Sequence, residues 1–87
     1  MGFLYILKSE IDHRFYLGST DNLERRVQEH NEGKSKYTRA FMPWKLVFSQ
    51  EYSTLVNARK VEYWLKKQKS RELLERIILE GIIKKSF

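Results

Sequence analysis

The order of local signals predicts an α+β domain: a small, mainly antiparallel three-stranded sheet flanked by helices, in the order β-β-α-β-α-α. Three observations predict it. Two neighbouring β-rich segments lie near the N-terminus with only a short polar turn between them. A third, alternating segment follows a basic loop in mid-chain. Three apolar stretches of helical period carry capping residues at their starts and glycines or polar residues at their ends.

Residues 3–8, FLYILK, are β-branched and aromatic enough for a strand, and residues 14–19, RFYLGS, read as a second. A four-residue turn at Ser9–Asp12 sets Lys8 opposite His13 and Tyr5 opposite Tyr16. Paired residues project from one face, so this register places two phenols side by side. A slip by one residue abolishes the pairing.

Thr20 and Asp21 followed by Glu24 form an N-terminal capping pattern, and the first helix is expected over about 22–31 with Gly33 as its stop. Leu23 and Val27 form its inner stripe, with Arg26 and His30 on the margin and Arg25 pointing away. Residues 34–43 read as a basic, partly aromatic loop holding Tyr37 and Phe41 among Lys34, Lys36 and Arg39. WKLVFSQEY alternates, with Trp44, Leu46, Phe48 and Tyr52 on one side, and forms the third strand. Ser53 and Thr54 cap a helix over about 54–68 whose inner stripe is Ala58, Val61 and Leu65. Ser70 caps a third helix that ends near Glu80, with Gly81 as its stop. The tail, 82–87, is apolar and basic and either packs or frays.

Composition narrows the chemistry. The 87 residues suit a single domain over 1–87. With 41% apolar residues the chain is too rich for disorder. There is no Cys, which excludes disulfides, thiolate metal ligation and a thiol nucleophile, and fits a cytoplasmic location. No apolar run approaches the roughly 18 residues of a membrane span, so no membrane partner is expected. The start, MGFLYILKSEID, has neither a leading basic segment nor a small-residue cleavage site and does not read as a signal peptide.

The net charge is +6, unevenly spread. Residues 1–30 carry four basic and five acidic side chains, whereas residues 31–87 carry thirteen and six. Such lopsided basicity points to a polyanion, with nucleic acid first, against the plainer reading of a solvated basic face.

Glu62 stands out. It lies about 40° from Ala58 and about 60° from Leu65 on a helical wheel, so it interrupts a buried stripe. Burying a carboxylate is costly without a compensating cation. Glu62 is therefore either a metal ligand or half of an internal ion pair. Tyr5 and Tyr16 read equally as core aromatics with satisfied hydroxyls. His30 reads equally as a helix-end His, and Arg26 as a partner of Glu29 or Asn22.

Together these residues resemble the GIY-YIG nuclease family, in its small single-domain bacterial form. Phe3-Leu4-Tyr5 and Tyr16-Leu17-Gly18 match the two half-motifs, their tyrosines eleven residues apart. Arg26 falls ten residues after Tyr16, His30 four later, and Glu62 matches the family's helix-borne acid. The resemblance runs from Phe3 to about Leu74, and extends to the nuclease domain of the excision-repair incision subunit and to homing endonucleases. Phe3 replaces the first Gly, Leu4 and Leu17 replace Ile, and no Asn follows Asn57.

The resemblance implies a metal-dependent endonuclease hydrolysing phosphodiester bonds in DNA, structure-selective and repair-related, with a non-cleaving nucleic-acid-binding module on the same fold as the alternative. It implies Tyr5, Tyr16, Arg26, His30 and Glu62 as catalytic, Glu62 holding one Mg²⁺ or Mn²⁺ ion, and Gly18 as a packing position. Ser19, Lys34, Lys36, Arg39, Lys66 and Lys67 are candidates for the substrate backbone. DNA stands ahead of RNA as partner, and a protein partner that supplies specificity is compatible with so small a chain.

Overall fold

The computed structural model describes residues 1–85. β1 (Gly2–Ser9) is the central strand, flanked by β2 (Phe15–Thr20) and β3 (Trp44–Tyr52) in a fully antiparallel sheet. α1 (Leu23–Asn31) and a one-turn α2 (Lys36–Arg39) connect β2 to β3, and α3 (Leu55–Gln68) and α4 (Arg71–Glu80) follow. The α+β architecture is the expected one. The addition is α2, within the segment read as loop.

The central strand is buried on both faces, because alternation sends its side chains to two cores. Leu4 and Ile6 join Phe48, Val61, Leu65, Ile77 and Ile83 beneath α3 and α4. Tyr5 and Leu7 join Trp44, with Tyr16, Leu23 and Val27 packed around them beneath α1. The chemistry-bearing tyrosines belong to this second, smaller core.

The hairpin register differs from the expected one. Tyr5 pairs with Gly18 and Leu7 with Tyr16, two residues away from the predicted pairing. The turn is four residues long but sits one residue later, over 10–13, closed by Ser9 N–H donating to the Arg14 carbonyl (2.9 Å). Ser9 stays in the strand because it is fully buried and its hydroxyl donates to the Phe41 carbonyl (2.8 Å). Sliding a turn by one residue moves the pairing by two, and two is the pleat period. Tyr5 and Tyr16 therefore still share a face.

β3 also departs from its pattern. Its register with β1 shifts between Ile6 and Leu7, so Phe48 faces Ile6 while Leu46 faces Leu7. The extra residue, Val47, breaks the alternation. Trp44 enters the α1 core, Phe48 the α3 core, and Leu46 is left exposed. The expectation of Trp44, Leu46, Phe48 and Tyr52 on one side fails for this reason.

The helix caps are mostly those read locally. Thr54 accepts from Asn57 N–H, and Ser70 from Leu73 N–H, each at 3.1 Å. Gly81 stops α4 with φ +76°, a left-handed value that glycine adopts without a Cβ penalty. The start of α1 differs: Asn22, rather than Thr20 or Asp21, is the cap and accepts from Arg25 N–H. Thr20 instead braces the approach, its hydroxyl accepting from Asn22 N–H. In the tail, Ile83 is buried and its backbone is clasped at both N–H and carbonyl by the Gln50 amide. The last two residues of the tail expectation, 86 and 87, lie outside the described residues.

Candidate active site

The site is built outward from Tyr5. This phenol sits in the central strand and is only 1% exposed. Its hydroxyl is 2.9 Å from His30 Nε2, and His30 Nδ1 is 2.8 Å from the Thr38 hydroxyl. Trp44 Nε1–H donates to the Thr38 carbonyl, and the Asn31 amide clasps Trp44 at both its N–H and its carbonyl. One hydrogen-bonded chain thus ties β1 to α1, α2 and β3, and every buried polar atom along it has a partner.

Burial sets the protonation of this pair. It pushes the Tyr5 phenol up to about 12, against the pull of the nearby Arg26 guanidinium. It pushes the His30 imidazole down to about 4, with the Arg26 charge adding to the effect. Both groups are neutral near pH 7. A neutral imidazole has one N–H, so if Tyr5 donates to Nε2, then Nδ1–H donates to Thr38. His30 is therefore not the solvated, charged helix-end His that its position on α1 allows; it is wholly buried.

Tyr16 brings the second ring. Its centroid lies 6.5 Å from that of Tyr5 and 5.0 Å from that of His30, edge-on to the latter. Gly18 explains how Tyr5 fits. A Cβ at Gly18 would fall on the Tyr5 hydroxyl and ring. The packing role of Gly18 is thus to admit a cross-strand side chain.

Arg26 is one-third exposed and pairs with Glu29 (3.1 Å), as one sequence reading allowed. Burial works against its charge, but hydrogen bonds to Glu29 and to Tyr5 outweigh that and raise its pKa. A guanidinium held beside two phenols offers a planar donor set for a phosphate.

Glu62 approaches from α3. Its Oε1 accepts from Ser19 Oγ at 2.5 Å and its Oε2 from Lys66 Nζ at 2.6 Å. Ser19 follows Gly18 in an edge strand, and strand alternation turns it toward α3. Tyr5 and Glu62 are thus set against consecutive residues of β2, from opposite faces of the sheet. The negative charge of Glu62 is among the influences that raise the Tyr5 pKa. The Glu62 side chain is 19% exposed, so it is not sealed from solvent. Of the two readings of Glu62, an ion pair forms, but at the helix surface rather than internally: its partner Lys66, one helical turn on, is half exposed.

The remaining candidates are placed less centrally. Ser19 and Lys66 are engaged with Glu62, Lys34 pairs with Glu32 (3.3 Å), and the Lys67 ammonium lies over the Tyr63 ring (4.6 Å). Lys36 and Arg39 are exposed on α2. Thr38 and Arg14 escaped the sequence reading, and Tyr37 entered it only as part of a basic loop. Tyr37 carried a signal, an aromatic among cations. Thr38 and Arg14 carried none, because their roles depend on contacts 8 and 23 residues away in sequence.

Among the described residues no cluster of three or more His, Asp or Glu side chains is poised for a metal. One carboxylate and a neighbouring hydroxyl are hard oxygen donors. That set fits a cation that keeps most of its own waters, as Mg²⁺ does, and does not fit one that needs a protein cage.

Known proteins show the family. The family model described as the GIY-YIG catalytic domain matches residues 1–83. A UPF0213 protein of Bacillus licheniformis is 43% identical over 79 residues, covering 90% of this chain and 79% of its own. The UPF0213 protein YazA of Bacillus subtilis is 40% identical over 74 residues, covering 82% and 74%. The solution NMR structure of a UPF0213 protein from Bacillus halodurans superposes with a TM-score of 0.57 at 34% identity, covering 93% of this chain and 87% of that one. The half-motifs, the helix-borne Arg and Glu, the sheet order and these matches agree, and the chain belongs to the GIY-YIG catalytic-domain family, a family of generally divalent-metal-dependent nucleases.

Proposed function

We propose that this protein is a small metal-dependent endonuclease that hydrolyses phosphodiester bonds in DNA. The observation that carries the reading is that Tyr5, with Tyr16 and Arg26 beside it, packs on Gly18 while Glu62 is held on Ser19, the next residue of one edge strand, in a chain of this family. Each group answers a need of the reaction. Arg26 clamps the phosphate and meets charge that develops on its oxygens. Tyr16 orients the attacking water or the phosphate. Tyr5 takes the proton of that water, and His30 Nε2, already at hydrogen-bond distance, is the onward acceptor. Glu62, with Ser19 steadying one oxygen, is the ligand for one Mg²⁺ or Mn²⁺ ion, which when bound supplies Lewis acidity on the leaving side.

The electrostatics of the pair say what the chain must overcome. With Tyr5 near 12 and His30 near 4, neither ring moves a proton unaided near pH 7. Arg26 pulls Tyr5 down and Glu62 pushes it up. Positive charge accepted by Glu62 removes part of the push that raises Tyr5, and so favours the phenolate, the form that can take a proton from water.

The experiment incubates the purified chain with supercoiled plasmid and with branched duplexes, in Mg²⁺ and in chelator. Cleavage that needs the metal and is lost in Glu62→Gln and Arg26→Ala supports the reading. Binding without cleavage, equal in all three proteins, favours the second one: a nucleic-acid-binding module that does not cut. That alternative rests on Lys66, whose ammonium already occupies Glu62. A structure-selective, repair-linked role in the cytoplasm, with a protein partner that supplies specificity, completes the proposal. Among the described residues no helix is long and apolar enough to cross a membrane.

A further inference from the structure

Beside Tyr16 lies a planar surface that the catalytic scheme does not use. The Tyr37 ring stacks on Tyr16, centroids 6.0 Å apart and planes inclined by 29°, yet Tyr37 is 52% exposed. Its hydroxyl accepts a hydrogen bond from Arg14 Nη1 (3.1 Å). The Arg14 guanidinium lies 3.5 Å from the centre of the Phe41 ring, which is itself 5.5 Å from the Tyr37 ring. Three flat groups, from the hairpin turn, from α2 and from the segment after it, thus hold one another in place. Lys36 and Arg39 are exposed on the same short helix, α2.

A single exposed aromatic is ordinary. Tyr37 differs in three respects: it is oriented by two neighbours, it is set among cations, and it is one ring away from a tyrosine of the site. Aromatic faces beside basic side chains are how proteins hold single strands, because every base has a π-face to stack. A base inside a duplex has both faces covered and offers none. We infer that Tyr37, braced by Arg14 and Phe41, is a stacking subsite for an unpaired nucleobase next to the phosphate held at Arg26 and Tyr16. The inference rests on the nucleic-acid reading above and names the feature of the substrate that would be recognised: a single-stranded nucleotide at a flap or junction.

The test measures binding of the full chain by fluorescence anisotropy in chelator, where no metal-dependent cleavage occurs. Two DNA probes are used, a blunt duplex and the same duplex carrying a single-stranded flap. Wild type is expected to prefer the flap. Tyr37→Ala should weaken flap binding about 5- to 150-fold, the range for one stacked base, and leave the blunt duplex within about twofold. Tyr37→Phe should keep the preference, since the ring and not the hydroxyl stacks. Tyr37→Leu, which retains apolar cover on Tyr16, should lose it, and this variant serves if the alanine chain does not fold. Equal weakening of both probes, no weakening of either, or no flap preference in wild type overturns the inference. The nuclease reading fails separately: a chain that grips flaps through Tyr37 but cuts nothing in Mg²⁺ keeps the subsite and loses the enzyme.

Discussion

At Gly18 the packing of one atom decides the geometry of the site. The residue faces Tyr5 across the hairpin, and a Cβ there would occupy the space of the phenol. Gly18→Ala should cost about 1–3 kcal/mol as an overpacked contact, measured by urea denaturation, and should also displace Tyr5 from His30. His30 carries a second expectation. Its folded pKa lies near 4, below the ordinary 6.5, so between those values the unfolded chain binds the additional proton. This contribution is full above pH 6.5 and is lost as the pH falls toward 4, at no more than about 1.4 kcal/mol per pH unit. Denaturation midpoints at several pH values, in wild type and His30→Gln, should differ by that slope. Equal slopes would place the charge elsewhere. Tyr5, Tyr16, Arg26 and Glu62 were each legible as residues, from spacing and from an acid in an apolar stripe. Their partners from other elements were not: Thr38 and Ser19 become partners only when strands and helices meet.

Elements place those residues by their period. On α3 the spacing of Glu62 and Lys66 is i, i+4, and the two form an ion pair at the helix surface. A cation binding Glu62 must displace that ammonium from Oε2. Lys66→Ala should therefore tighten Mn²⁺ binding to the chain, read by calorimetry, by no more than about fivefold, since such partly exposed pairs are worth roughly 0–1 kcal/mol. Unchanged or weaker binding would mean that Lys66 does not compete. The bulge in β3 separates two residues that sequence alternation treats alike. Phe48→Ala should cost about 3–5 kcal/mol by leaving a cavity in the α3 core. Leu46→Ser, at an exposed position, should cost less than about 1 kcal/mol. Comparable losses at the two sites would argue against the register shift. The existence, order and caps of the long elements were readable because each depends on a few neighbouring residues. The hairpin register and the bulge were not, because Ser9 and Val47 are placed by what packs against them.

Across the whole molecule, charge and architecture act together. The excess of cations lies in the second two-thirds of the sequence, on α2, α3 and beyond. DNA affinity should fall roughly 10- to 100-fold between about 50 and 200 mM salt, as expected for about three neutralised phosphates. A flat salt response would leave the basic surface without a polyanion. What the sequence by itself determined is local: strand and helix periods, caps, glycine stops, and the parity that keeps Tyr5 and Tyr16 on one face even when the turn slides. What only the tertiary structure decided is which groups end up neutral, paired or exposed: His30 sealed between Tyr5 and Thr38, Glu62 shared by Ser19 and Lys66, Tyr37 laid on Tyr16. The reason is physical. Period and capping are properties of a few consecutive residues, whereas desolvation and pairing are set by atoms that the chain brings together from tens of residues apart.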